Sequence, residues 1–328
     1  MHDTKGNLGG RMLVVCLVFA FAALAVLCRP YEPRGPVPAP SPVRDYAEAV
    51  RRWDAMAALD GISVRPDCRA RAMLQGRRTA RVVVLFHGLA NCPKQFERLA
   101  DSLFARGCNV LVPRAPYHGN VDRMTDEQAN LTAWDLARAA DEAVDIAQGL
   151  GERVVVAGLS TGGLQAAWVG QYRKDVSRAV LISPVFGVAV IHPLLTPGFI
   201  RVLRTLPNRY LWWDPRAREN LAGPKQVYPR YSTRALAEIL HFGLVVQAAA
   251  RRQTPAAGEI SVITSGSDLA VSNSVTSAVV RDWSRHGARV RVHEFPRSMQ
   301  VGHDLADPDQ PYARPGKVYP VLLGEMDR

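Results

Sequence analysis

Lysine is scarce in this chain, with five in 328 residues, so the formal charge of +11 rests on arginine. The arginines are scattered. No basic stripe and no recognisable nucleic-acid module accompanies them, which argues against a nucleic-acid partner and leaves attraction to anionic membrane surfaces as the natural consequence of the charge. The chain has no His-Glu-x-x-His, no Walker lysine loop and no Cys-x-x-Cys, so nothing signals a metal or an organic cofactor, and none is expected. Internal repeats are also absent. Cysteine is sparse at five, and two of these, Cys16 and Cys28, fall in the one long apolar run.

That run, Met12 to Cys28, follows Lys5 and Arg11 and spans seventeen uninterrupted apolar residues, at the border between a signal-peptide core and the shortest membrane-spanning helix. Ala23-Leu24-Ala25 offers a small-residue cleavage site, while the length of the run favours an uncleaved anchor, and both readings stay open. A lipoprotein reading at Cys28 is disfavoured by the bulky Leu27 before it. Either way the bulk of the chain is expected to be extracytoplasmic, anchored at a membrane or released by cleavage. Pro30 to Pro42 is rich enough in proline to hold an extended conformation and is expected to act as a semi-rigid spacer that lets the domain stand off the bilayer. Residues 1–29 therefore read as anchor or signal, 30–44 as linker, and 45–328 as one domain with a core of ample size.

Within that domain the most telling stretch is Gly158-Leu159-Ser160-Thr161-Gly162. It follows the β-branched run Arg153-Val154-Val155-Val156-Ala157 and opens an Ala-rich helical pattern, giving the strand, sharp turn and helix that expose a nucleophilic serine. Gly158 and Gly162 let strand and helix approach where a side chain would collide. Upstream, the buried-strand pattern Arg81 to Phe86 runs into His87-Gly88-Leu89-Ala90. Downstream, the strand pattern Glu259 to Thr264 leads to Asp268, and after the strand pattern Arg289 to Phe295 comes His303. Of the other histidines, His118, His192, His241, His286 and His293 do not lie in the loop after the last strand, and His87 reads as a structural brace. The stretch Ser183 to Gly187 offers no carboxylate as an alternative acid. Asp304 reads as a helix N-cap or loop brace.

Ser160, Asp268 and His303 follow the chain order of the α/β-hydrolases, and the chain resembles that superfamily. Within it, the stretch from His87 through Asn91-Cys92-Pro93, Gln95-Phe96 and Leu99 to Arg114-Ala115-Pro116-Tyr117-His118-Gly119 is similar to the monoacylglycerol-lipase and lysophospholipase-like branch. One departure is Tyr117, where that branch usually has glycine. The resemblance covers about residues 63–328. It implies an α/β fold, a mainly parallel sheet with helices on both faces, and a cap between the sixth and seventh strands, at about 188–258. It also implies Ser160 as nucleophile, His303 as base, Asp268 as its orienting acid, and an oxyanion hole made by the amides of Leu89 and Thr161.

Alternation of strand and helix patterns agrees with this fold: helices at Asp45 to Leu59, Lys94 to Arg106, Leu131 to Leu150, Gly162 to Gln171, Val271 to Arg285 and from Val318, with strands at Asn109 to Pro113 and Ala179 to Ser183 as well as those above. Ser63 to Leu74 is expected to supply an early antiparallel strand or hairpin. The cap carries Ile191, Leu194, Leu195, Phe199, Ile200, Leu211, Tyr228, Tyr231, Leu240 and Phe242, which either line an acyl pocket or pack the cap down. Trp212 and Trp213 are its best substrate-binding candidates. Cys68 precedes the His-Gly strand and Cys92 follows it, so a Cys68–Cys92 bridge is expected, with Cys108 a buried thiol.

The expected activity is hydrolysis of carboxylic esters, lipid-like or monoacyl, with thioesters, amides and peptides open to the same chemistry. The competing class is a catalytically silent relative that binds a ligand or partner through its cap.

Overall fold

The computed structural model describes residue 14 and residues 30–328. The apolar run Met12 to Cys28, with its anchor and signal readings, otherwise lies outside the described residues. Among the described residues no helix is long and apolar enough to cross a membrane.

Among the described residues seven strands make the main sheet: β1 (Arg71–Met73), β2 (Thr79–Phe86), β3 (Asn109–Val112), β4 (Gly151–Leu159), β5 (Arg178–Ile182), β8 (Glu259–Ser265) and β9 (Val290–Phe295). Their order is β1-β3-β2-β4-β5-β8-β9. Only β1 runs antiparallel, pairing Arg71 with Val112 across β3. It is the only sheet strand formed by the early segment, so the inserted segment falls between the fifth and sixth of these strands in chain order, one earlier than expected. β6 (Tyr210–Trp212) and β7 (Arg230–Ser232) form a separate antiparallel hairpin inside that insertion.

The sheet is buried on both faces, as near-continuous Val, Leu and Ile runs require. Alternation sorts the side chains: Val82, Val84 and Phe86 of β2 enter one core layer, Val83 and Leu85 the other. The first layer is closed by α1 (Tyr46–Ala57), α3 (Ala133–Leu150), α4 (Thr161–Tyr172), α6 (Thr233–Ala250) and α7 (Asn273–Arg285), and the second by α2 (Glu97–Ala105) and α8 (Pro315–Asp327). Side-chain caps set several helix starts. Asp45 accepts from Glu48 N, and Thr132 and Asp135 form a reciprocal capping box. Ser272 caps α7, which therefore begins at Asn273 rather than at Val271.

Two expectations about the periphery change. α6 lies in the later half of the expected cap, yet Ile239, Phe242 and Val246 belong to the main core, because this helix is apolar on nearly every side. The part that stands over the sheet is 188–232, including α5 (Thr196–Thr205). The Pro-rich linker is not a free spacer. Its backbone is bound to the domain: the amides of Ala39 and Ser41 donate to Asp141 and Asp145 at 2.8 Å each, and Trp168 Nε1 donates to Pro36 O at 3.1 Å. Asp141 and Asp145 are held ready by the buried Arg173, which also pairs with Asp175.

Candidate active site

At the carboxyl end of β4 the chain turns into α4 through Ser160, whose backbone sits at φ 59°, ψ −111°. Such a conformation costs a non-glycine residue on the order of 1–3 kcal/mol and persists only where the surroundings enforce it. They do so through close packing. A Cβ on Gly158 would lie 2.1 Å from Gly162 O, and one on Gly162 would lie 1.8 Å from Phe86 O. Ser160 N donates to Ile182 O at 2.9 Å, tying the turn to β5. The hydroxyl is left facing a cavity.

The loop after β2 passes alongside. Its Gly88 amide donates to Gln95 Oε1 at 2.8 Å, while the amides of Leu89 and Thr161 have no acceptor among the described residues and border the same space as Ser160. His87 is buried. Its Nε2 accepts from Ala115 N at 3.0 Å and its Nδ1 donates to Gly88 O at 2.9 Å, so the ring is neutral and both nitrogens are occupied. Burial, reinforced by neighbouring His118, pushes it down to about 3. His118, in edge contact with it at 5.3 Å, is likewise pushed down by burial, to about 4. Beside it Tyr117 stands at φ 64°, the left-handed region that glycine enters freely.

Asp268 and His303 meet from the loops after β8 and β9. His303 Nδ1 and Asp268 Oδ2 are 2.7 Å apart. Asp268 Oδ1 accepts from the amides of Ala270 (2.8 Å) and Val271 (3.2 Å). Burial raises this carboxyl, but the hydrogen bond and charge of His303 and the two amides outweigh it, so Asp268 titrates below the usual range. His303 and Ser160 border the same cavity and are not hydrogen-bonded to each other.

The cavity has two lobes that share Leu89, Ser160, Trp213, Ala270 and His303. One lobe, about 250 Å³, is walled by Val188, Ile191, Phe199, Leu203, Leu236 and Ile239. The other, about 300 Å³, is also mostly apolar, bordered by Leu221, Pro224 and Val227, with Asn91, Gln310 and Tyr312 on one side. Trp213 therefore stands at the junction, its ring 4.3 Å from that of Tyr231. Trp212 borders neither lobe, because successive residues of an extended strand face opposite sides. Of the expected cap residues, Ile191, Phe199, Leu211 and Tyr231 reach the first lobe, Ile200 and Leu240 pack α5 onto α6, and Leu194 and Leu195 face outward.

The second lobe was not readable from spacing. Its centre is the buried Asn91, whose amide donates to Asp307 at 3.0 Å and more weakly to Asp304 at 3.4 Å, and whose Oδ1 accepts from Cys92 N and from cap residue Gln226. Asp304 is a loop brace, accepting also from Gln310 at 2.9 Å, and no helix begins there. Burial, then the charge of Asp304, raises Asp307 to about 7. The position of Asn91, four residues past a His that ends a strand, was the only available signal. Cys92 is bonded to Cys68, Cα to Cα 5.2 Å, and Cys108 is a buried free thiol.

A sequence model of the alpha/beta hydrolase family matches residues 83–314. No curated protein matches the chain. Among solved structures, one from a study of LipS and LipT, two metagenome-derived lipolytic enzymes, is 16% identical, with TM-score 0.59, over 80% of this chain and 99% of the other. The monoacylglycerol lipase of Paleococcus ferrophilus is 16% identical, TM-score 0.59, over 78% and 97%. A soluble variant of the Saccharomyces cerevisiae monoglyceride lipase, bound to a substrate analog, is 15% identical, TM-score 0.57, over 91% and 97%.

Proposed function

The chain belongs to the alpha/beta hydrolase family, and on that premise we propose that it is a serine hydrolase of carboxylic esters acting through an acyl-enzyme on Ser160. One observation carries the reading: a serine hydroxyl on a strained turn, two unengaged amides, and a histidine already oriented by a buried carboxylate all face one cavity. His303 takes the Ser160 proton as Oγ attacks the acyl carbon, and returns it to the departing alcohol. Asp268 fixes the imidazole tautomer and stabilises its charge. The amides of Leu89 and Thr161 receive the developing oxyanion. Water then attacks the acyl-enzyme, assisted by His303, and releases the acid.

Two apolar lobes meeting at Ser160 suit an ester with an apolar acyl chain, which fits the lobe walled by Phe199, Leu203 and Ile239, while the alcohol part lies in the lobe that carries Gln310 and Tyr312. Lipid-like monoacyl esters are the substrate class this supports, in keeping with the monoacylglycerol lipases of similar fold. Anchoring through Met12 to Cys28 and an extracytoplasmic address belong to the same proposal, and the Cys68–Cys92 disulfide supports an oxidising compartment.

A fluorophosphonate probe tests the chemistry. Wild-type protein should label and Ser160→Ala should not, and failure of both to label would favour a silent ligand-binding relative. Esters of graded acyl length, with monoacylglycerols and matched thioesters and amides, then read the preference.

A further inference from the structure

The amino-terminal end of the sheet, opposite the Ser160 cavity, gathers charged side chains through strand register. Arg81 of β2 lies directly opposite Arg153 of β4, and Arg178 of β5 lies opposite Glu259 of β8. Each stands an even number of positions from a residue of the second core layer, Val83, Val155, Val180 and Ile263, so all four belong to that face of the sheet. Arg289, at the entry to β9, has the same parity with Phe295. α8 packs on this face down to Met326. Beyond it these five residues, with Arg328, border a cavity of about 260 Å³.

Like charges opposed across neighbouring strands repel unless something neutralises them. Here the protein's own carboxylates do so only in part. Asp327 serves Arg81 and Arg106, Glu259 serves Arg178 and Arg291, and Glu325 serves Arg178 and Arg328, so five arginines share three carboxylates. Arg153 and Arg289 have no carboxylate partner among the described residues, and the Arg153 guanidinium donates to Arg328 O at 3.2 Å. Arg178 is 7% exposed. Burial lowers it from the ordinary guanidinium range and the charges of Arg291 and Arg328 add to that, against the opposing pull of Glu259 and Glu325. Arg81 Nε is buried with no acceptor. Buried guanidinium groups short of counter-charge are costly, and an anion in the cavity would supply both the charge and the acceptors.

We propose that this cavity binds a phosphate monoester as its dianion. Guanidinium forks bond phosphate oxygens in pairs. Arg153, Arg178 and Arg289 come from three strands, an approach that suits a tetrahedral set of acceptors better than a planar carboxylate. A dianion also answers the two arginines left without a carboxylate. Val155 and Gly258 on the wall give an uncharged ester substituent room beside the phosphate. The site and Ser160 lie at opposite ends of β4, about 20 Å apart, so it is separate from the hydrolytic cavity and does not depend on the hydrolase reading.

Phenyl phosphate is the soluble probe and phosphatidic acid the membrane-borne one. At about 5 mM, phenyl phosphate should raise the Tm of the full chain by about 3 °C or more beyond potassium chloride at equal ionic strength. Replacing the exposed pair Arg153→Ser and Arg289→Ser together should weaken its binding about tenfold or more by calorimetry. Arg209→Ser with Arg216→Ser, an equal loss of charge from exposed cap positions, should leave binding within about twofold. Amide hydrogen exchange identifies the source. Protection of residues 286–291 on vesicles containing phosphatidic acid, and not on phosphatidylcholine alone, would assign the phosphate to a lipid headgroup, whereas protection by phenyl phosphate alone would assign it to a soluble ligand. Absence of protection from either source, a Tm shift that chloride matches, or equal weakening in the two double variants would overturn the site.

Discussion

The loops after β2 and β9 each bring a histidine to the carboxyl end of the same sheet, and the two imidazoles end in opposite states. His87 spends one nitrogen on Ala115 N and the other on Gly88 O, inside the protein and with its charged form suppressed. His303 spends one nitrogen on Asp268 and keeps the other toward the cavity, where it has no partner among the described residues. The loops are also held differently. The first is tied by the Cys68–Cys92 bond, and its Asn91 in turn holds the second through Asp304 and Asp307. A histidine is available for proton transfer here because of what its loop leaves unbonded.

The sharpest way to break this contrast is on the reaction itself. His303→Ala should lower kcat on the order of a millionfold, and Asp268→Asn on the order of ten-thousandfold, with folding retained. A His87 substitution of comparable effect on kcat, in a protein that still folds, would erase the distinction.

The covalent tie is the next place to press. Removing it with Cys68→Ala and Cys92→Ala should destabilise the fold by about 3 kcal/mol, as closure of a loop of this length implies, read from denaturant midpoints. An unchanged midpoint would mean that the first loop is held by packing alone.

Titration gives an effect confined to acid pH. Because the folded pKa of His87 lies near 3 and that of His118 near 4, below the free value of 6.5, both stabilise the fold fully above about pH 6.5 and lose that contribution as pH falls toward 4 and 3. His87→Gln, which keeps an acceptor for Ala115 N, should flatten part of that acid limb in thermal melts across pH 3 to 7. A limb of unchanged slope would show that His87 is not held neutral.

Much of the site was legible because its signals are local. The run Val154 to Val156 and the glycines at 158 and 162 follow from sterics within one short segment, and the chain order of Ser160, Asp268 and His303 was read through the resemblance to the α/β-hydrolases. Strand parity likewise determined which β2 and β4 residues face each core layer. The hydrogen-bonded group behind the second lobe was hidden because Asn91, Gln226, Asp304 and Gln310 are unremarkable in their own segments and converge only in three dimensions. The choice between Trp212 and Trp213 depended on which face of a short hairpin turned inward. Tyr117 marks a mismatch visible both ways, a residue placed where the backbone favours glycine, held at φ 64° by the surrounding loop.

Local steric rules and apolar periodicity, acting through neighbours along the chain, were enough to determine the main strands and the elbow, whereas the pairing of Asp268 with His303 and the place of the insertion came from the resemblance to the α/β-hydrolases. Folding alone decided that the Pro-rich segment is a strap. Proline composition sets how stiff a segment is, whereas its docking depends on acceptors at Asp141 and Asp145 and on Trp168 and His241, all a hundred or more residues away.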